Sequence, residues 1–252
     1  MQINKFKASH SFTFLLLALF LLPACKHSRT EVTICGTLHG YHKKNPNYSY
    51  EHLFRFIKAY NPDVIGVEIR PEDVDSTSSF LSKYYPYEMV EAINRFSGKK
   101  IYGIDWWNTT IEGEAMSDKV LDTLFNIVMK RKYAADSVFQ RTKPDILKKI
   151  NKERLHIAGK ATIEELVMGD YDSLNVSFYE ALGTYLKGSP YEKLFDTYML
   201  RHDKLAENMA NVVTQNPGKR ILFLTGADHQ AYARMKIEEV FGANIELNTP
   251  FQ

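Results

Sequence analysis

Short apolar runs alternate with amphipathic stretches along most of the chain, which is the pattern of an α/β domain. The apolar runs predict strands at residues 31–37, 64–69, 100–104, 220–225 and 244–247. Apolar residues spaced three or four positions apart predict helices at about residues 50–59, 87–96 and 230–241. Helical stretches between successive strands favour a mainly parallel sheet flanked by helices.

The middle of the chain departs from this rhythm. From about Gly113 to Val213 the pattern is helical, with only Tyr171 to Val176 ambiguous. Because predicted strands lie on both sides of this segment, the economical interpretation is one α/β domain over residues 26–252. The fold class predicted is therefore a central, mainly parallel sheet flanked by helices, with a large helical insertion (about 113–213) between the third and fourth strands.

The first 25 residues have the features of an export signal. Lys5 and Lys7 precede an apolar run from Phe12 to Leu22, which is too short to span a bilayer as a helix. The run ends in LPAC, which resembles a bacterial lipobox with Cys25 as the lipidated residue. We therefore predict a lipoprotein signal peptide over residues 1–25 and a lipid anchor in the bacterial cell envelope, on the periplasmic side. An uncleaved anchor or an ordinary signal peptide remains the alternative.

Composition excludes several classes of protein. The chain has 252 residues, of which 44% are hydrophobic and 25% charged, so a disordered chain is excluded. Its 32 basic and 30 acidic residues give no excess positive charge for binding nucleic acid. Because the charges nearly balance, only the lipid on Cys25 would hold the protein at a membrane. Cys35 would be alone once Cys25 is lipidated, and its place in the apolar run VTIC favours packing over nucleophilic chemistry.

Ionisable residues lie at or near the ends of four of the predicted strands. They are His39, Glu68, Asp105 and His229, at or near the carboxyl ends where ligands bind in open α/β sheets. Taken singly, His39 could cap the next segment, Asp105 could be a turn residue, and neighbouring Asp228 is interpreted as the N-cap of the last helix. Together they predict a shared site, and two imidazoles with carboxylates suit a divalent transition metal and general acid–base chemistry equally well.

Arg201 is a fifth candidate, because it interrupts an apolar helix face. It lies on the stripe formed by Leu194, Tyr198, Leu205, Met209 and Val212. An arginine there needs an anionic partner or must extend its charge to solvent. Glu68, in an apolar strand, needs a partner as well. If the two meet, the pair would fix the insertion to the edge of the sheet.

The ordered motifs resemble those of the TraB/GumN (Tiki-like) family. They are G-x-x-H at Gly36–His39, a glutamate in the second strand (Glu68), Arg201 in the penultimate helix, and a second G-x-x-H at Gly226–His229. This family belongs with erythromycin-esterase-like and ChaN-like haem-binding proteins. Position 202 is His where the family often has a polar amide.

The resemblance implies an α/β fold with a helical insertion and, as in Tiki-type proteases, a metal-dependent site. It implies that His39, Glu68 and His229 are metal or acid–base groups and that Arg201 is an electrostatic stabiliser. Asp105 stands where Tiki-type members often carry a glutamate, and we place it with the catalytic residues.

From these features we predict a lipid-anchored, metal-assisted hydrolase that cleaves a peptide or ester bond in a peptide or small-molecule substrate. Glu68 would activate water, His39 and His229 would bind a divalent transition metal, and Arg201 would stabilise the oxyanion. The alternatives are a ChaN-like lipoprotein that binds haem or iron, a peptide-binding module, and a scaffold without activity.

Overall fold

The protein is an α/β fold built on one five-stranded parallel sheet. The computed structural model describes residues 29–251, so the predictions for the signal peptide and for Cys25 lie outside the described residues. The strands are β1 Thr30–Thr37, β2 Val64–Val67, β3 Lys100–Gly103, β4 Arg220–Gly226 and β5 Ile245–Leu247. They are ordered β3-β2-β4-β1-β5, and every pair is parallel. The predicted fold class is confirmed.

Helices pack on both faces of this sheet. Before the insertion they are α1 Tyr50–Tyr60, α2 Ser78–Tyr84 and α3 Tyr87–Arg95. Between β3 and β4 the chain forms α4 Asp118–Thr123, α5 Phe125–Ala135, α6 Ser137–Arg141, α7 Asp145–Ala158, α8 Ile163–Met168, α9 Tyr171–Leu186 and α10 Glu192–Gln215. Helix α11 Ala227–Phe241 follows β4 directly. The insertion is therefore helical, as its sequence pattern predicts.

Two local expectations need correction. The ambiguous segment at Tyr171 begins the sixteen-residue helix α9 and contains no strand. Asp228 is not the N-cap of the last helix: α11 begins at Ala227 with Gly226 as its N-cap, so Asp228 lies in the first turn. Its carboxylate accepts hydrogen bonds from Arg154 and Tyr171, and this pairing with the insertion accounts for its position.

Successive side chains along each strand point to opposite faces of the sheet, so they pack into two separate parts of the core. Along β4, Leu222 and Leu224 pack with helices α1, α3 and α8 on one face. Ile221 and Phe223 pack with α10 and α11 on the other. This burial of both faces explains why the strands are almost wholly apolar. No helix within residues 29–251 is long and apolar enough to cross a membrane.

Cys35 lies in this core with no exposed surface, and its Sγ is 3.2 Å from the Tyr48 hydroxyl. Burial raises the pKa of the thiol to about 12. We predict that a Cys25→Ser protein, in which Cys35 is the remaining thiol, does not react with DTNB at pH 8. The same protein should react fully in guanidinium chloride. Rapid labelling of the native protein would contradict this packing role.

Candidate active site

The carboxyl edge of the sheet brings three of the predicted site residues together. Strands β2, β4 and β1 are neighbours. Glu68 directly follows β2, His39 lies two residues after β1, and His229 lies in the first turn of α11 after β4. All three line one cleft of about 480 Å³, and Arg201 lines it as well. The structure thus brings these four residues together at one cleft, and their function as a shared site stays a prediction.

Glu68 is a buried carboxylate surrounded by hydrogen-bond donors. Its side chain is 5% exposed. One oxygen, Oε1, accepts a hydrogen bond of 2.9 Å from Arg201 Nη2. The other, Oε2, accepts one of 2.9 Å from the Thr225 hydroxyl and another from the Gly226 backbone N–H at the start of α11. Both oxygens are therefore occupied within the protein itself.

The groups around Glu68 determine its ionisation state. Burial raises the pKa of this carboxyl, but the neighbouring His229, the charges of Arg201 and His39, and the Gly226 N–H outweigh burial. The pKa is lowered to about 2. Glu68 is consequently ionised throughout the physiological range, and so low a pKa makes it a weak base. The placement does not favour the predicted role of Glu68 in activating water.

Asp105 holds Arg201 in place from behind. Arg201 Nε donates to Asp105 Oδ1 and Arg201 Nη2 to Asp105 Oδ2, both at 2.9 Å. Asp105 is 2% exposed and does not line the cleft. It therefore does not reach a substrate directly, and its effect is to orient the guanidinium. Arg201 Nη1 makes no hydrogen bond within residues 29–251, and Arg201 is one of the residues that line the cleft.

Gly226, the first residue of the second G-x-x-H motif, lies so close to two other site residues that only glycine fits. A Cβ on Gly226 would lie 2.7 Å from His39 Nε2 and 3.3 Å from Glu68 Oε2. Any side chain here would displace both groups. Glycine at this position therefore allows the backbone at the end of β4 to lie close to the His39 imidazole and the Glu68 carboxylate.

A buried carboxylate that sequence reasoning missed accompanies His39. His39 Nδ1 lies 2.7 Å from Oε1 of Glu88, in the first turn of α3, and Glu88 is 0% exposed. The Thr37 hydroxyl donates to the same oxygen at 3.1 Å. His39 Nε2 is left facing the cleft. A glutamate in the first turn of a helix is common because it complements the helix dipole, so the sequence carries little sign of this role.

The backbone at His39 is strained. Its φ is +49°, in the left-handed region that residues other than glycine rarely adopt. The Tyr50 hydroxyl donates to the His39 carbonyl at 3.0 Å, and the Glu88 bond holds the ring. Strain of this kind persists where surrounding contacts determine it, and it is frequent at functional sites.

Electrostatics favour the charged form of His39. Burial lowers the pKa of the imidazole, but the hydrogen bond to Glu88 and the charges of Glu68 and Glu88 outweigh burial, so its pKa is raised above 6.5. The Nδ1 proton is assigned from the hydrogen bond to the carboxylate. In the neutral form this leaves the Nε2 lone pair directed into the cleft, which is the arrangement of a general base.

A second imidazole, His202 on α10, supports His229. The two Nδ1 atoms are 2.8 Å apart. Burial lowers the pKa of both rings, and with the nearby His229 and Arg201 it lowers the pKa of His202 to about 2. Both rings are therefore neutral, and one proton bridges the two Nδ1 atoms.

The position of that proton follows from Glu68. His229 Nε2 lies 3.6 Å from Glu68 Oε1, so a proton on Nε2 is favoured by the carboxylate. His202 then donates its Nδ1 proton to His229, and His229 presents an Nε2–H donor to the cleft. At 3.6 Å that donor is not held in a full hydrogen bond, and it remains available to another acceptor.

His42, which forms an H-x-x-H spacing with His39, has a structural role. It is 1% exposed; its Nε2 accepts from the Leu38 N–H at 3.0 Å and its Nδ1 lies 2.7 Å from the Tyr48 carbonyl. The ring thus stabilises the 3₁₀ turn after β1 that carries His39.

The insertion supplies the opposite wall of the cleft, and most of that wall is aromatic and aliphatic. Its apolar and aromatic residues are Tyr133, Leu155, Ala158, Tyr171, Phe178, Tyr179, Leu182, Leu186, Leu194, Phe195 and Tyr198, and Lys130, Asn151 and Arg154 are its other polar contributions beside Arg201. A polar edge of the sheet therefore faces a mainly apolar surface across the cleft. Such a site suits a ligand with an apolar body and a polar group directed to His39 and Arg201.

The predicted divalent metal does not fit these residues as they are placed. Both Glu68 oxygens accept hydrogen bonds, and the Arg201 guanidinium occupies the position of a cation on Oε1. His229 Nε2 is assigned a proton. Within residues 29–251, no group of three or more His, Cys, Asp or Glu side chains is arranged to hold a metal ion. The divalent metal therefore remains a prediction from the sequence.

No family model, curated protein or solved structure matches this chain. The resemblance to the TraB/GumN family therefore rests on the sequence motifs alone.

Arg201→Met should destabilise the protein strongly, because it leaves Glu68 and Asp105 as buried carboxylates without a cation. Breaking buried pairs of this kind costs about 3–5 kcal/mol in the free energy of unfolding. Adding Glu68→Gln should recover part of the loss, measured by urea denaturation as a double-mutant cycle.

The matched control for this cycle is Arg131→Met, which removes an exposed arginine of the insertion paired with exposed Asp122. That change should alter stability by less than about 1 kcal/mol. If Arg201→Met cost no more than Arg131→Met, the buried ion pairs would not hold the insertion to the sheet.

Proposed function

We propose that this protein is a hydrolase of ester or peptide bonds in which His39 is the general base. The observation that carries the proposal is the 2.7 Å hydrogen bond from His39 Nδ1 to buried Glu88, with Nε2 directed into the cleft. A histidine whose far nitrogen is held by a carboxylate is oriented and made more basic, as hydrolytic catalysis requires.

The geometry supports a two-step reaction. His39 Nε2 takes a proton from a water molecule while the water oxygen adds to the substrate carbonyl carbon. The carbonyl oxygen then carries negative charge, which Arg201 Nη1 and the His229 Nε2–H stabilise. Protonated His39 next gives its proton to the leaving oxygen or nitrogen as the bond to the carbonyl carbon breaks.

Glu68 is an electrostatic support in this mechanism. Its fixed negative charge holds Arg201 and faces His229 Nε2–H, so both donors are oriented before substrate binds. This proposal moves the activation of water from Glu68 to His39, because the pKa of Glu68 is lowered to about 2 while that of His39 is raised. Asp105 is a positioning residue through its two bonds to Arg201.

The aromatic wall indicates the substrate. Phe178, Tyr179 and Tyr198 can contact an apolar portion of a peptide or small molecule whose carbonyl group lies at His39. The cell-envelope location and the lipid anchor at Cys25 remain part of the proposal and rest on the sequence of residues 1–25. Membership of the TraB/GumN family is likewise proposed, and the ordered G-x-x-H, Glu68 and Arg201 motifs support it.

His39→Ala should lower kcat by about 10²–10⁴-fold on a panel of chromogenic esters and peptide anilides. In the wild type, kcat/KM should rise with pH through a pKa above 6.5, since neutral His39 is the active base. Glu88→Gln removes the carboxylate that raises this pKa. Its pH profile should shift to lower pH, and its kcat should fall.

The controls are His156→Ala, an exposed histidine on α7, and Glu91→Gln on the helix that carries Glu88. Neither should change the pH profile. Retention of wild-type kcat by His39→Ala would overturn the proposal. A Soret band in the purified protein, with no hydrolysis of any substrate, would favour the haem-binding alternative instead.

A further inference from the structure

A second cavity shares part of its lining with the cleft. It has a volume of about 220 Å³ and shares Lys130, Tyr198 and Arg201 with the main cleft. A cavity of about 150 Å³ is known to hold a benzene ring, so this one can hold a group of similar size with a polar substituent. Arg201 therefore lines both spaces, and a substrate with one group in each would have the connecting bond beside this guanidinium.

The walls of the second cavity combine apolar surface with positive charge. Trp107 and Ile127 provide the apolar surface, and none of the described residues that line the cavity is acidic. The charge of Arg201 is offset by Glu68 and Asp105, whereas Lys130 makes no ion pair or hydrogen bond within residues 29–251. The charge in this cavity that no acidic residue offsets is thus that of Lys130, an exposed residue of helix α5 at the cavity wall.

The cavity is also held in fixed relation to the proposed catalytic groups. Trp107 Nε1 donates to Asp105 Oδ2 at 2.5 Å, and the same carboxylate binds Arg201 through two hydrogen bonds. One buried side chain therefore orients both the apolar wall and the guanidinium. The cleft on the other side differs, because Glu68 and Asp228 line it.

We propose that the second cavity binds the leaving group of the substrate, and that this group is an amine carrying both an apolar side chain and a carboxylate, as in the C-terminal residue of a peptide. This inference rests on the hydrolase function proposed above. The apolar side chain lies against Trp107 and Ile127, and the carboxylate pairs with Lys130. Water supplies the oxygen of the new acid, the C–N bond breaks, and the amine takes the proton from His39.

The direct test is binding of a leaving-group analogue, without turnover. The probes are 3-phenylpropionate and its neutral counterpart 3-phenylpropanamide, titrated calorimetrically into the purified protein. The acid should bind about threefold more tightly than the amide, because an ion pair to an exposed lysine changes affinity by only a few-fold. Lys130→Met should remove the preference, and Ile127→Trp, which fills the cavity, should weaken both probes.

The matched control is Lys132→Met, an exposed lysine on the same helix that lines neither cavity. It should keep the preference for the acid. Equal binding of acid and amide by the wild type, no binding of either, or a preference that survives Lys130→Met would each overturn the assignment.

A kinetic comparison separates this inference from the function on which it rests. N-acetyl-Ala-Phe as the free acid should have a higher kcat/KM than its C-terminal amide, and Lys130→Met should abolish the difference. Hydrolysis of both at equal rates would overturn the cavity assignment and leave the hydrolase in place. Acid-selective binding with no hydrolysis of any substrate would overturn the hydrolase and leave a carboxylate-binding cavity.

Discussion

The buried Glu68 carboxylate is the constraint on which the rest of the site depends. A carboxylate that is 5% exposed must be matched by charge and hydrogen bonds. Here the partner is Arg201, contributed by the insertion 133 residues later in the chain and aligned by Asp105. The ion pair ties helix α10 to the carboxyl edge of the sheet. The cleft is the space enclosed between the two, so its shape follows from satisfying this one charge.

The buried charge of Glu68 also helps to determine the protonation state, and so the role, of the neighbouring ionisable groups. Glu68 stays ionised because donors lower its pKa to about 2, and its charge directs the Nε2–H of His229 toward the cleft. His202 stays neutral and supports that ring. His39 has its own buried carboxylate, Glu88, and its pKa is raised. In the proposed mechanism one base, His39, and two donors, Arg201 and His229, serve the same space, which is the division of roles that acyl transfer requires.

Much of this arrangement can be predicted from the sequence, because a charged residue within an apolar strand or helix face needs a partner wherever the chain folds. Glu68 within an apolar strand and Arg201 on an apolar helix stripe each require a partner, and strand-end positions place His39 and His229 beside them. The contributions of Glu88 and His202 could not be predicted. A first-turn glutamate is ordinary in any helix, and only the packing of α3 against the turn after β1 buries it.

Hydrolysis after complete removal of metal ions tests the central claim most directly. The account predicts that chelated protein, shown by elemental analysis to hold less than stoichiometric metal, keeps its kcat. The reason is that Arg201, Thr225 and Gly226 already satisfy Glu68 and that His39 is activated by Glu88. Loss of kcat on chelation, restored by one divalent ion that the His229→Ala protein no longer binds, would contradict the account.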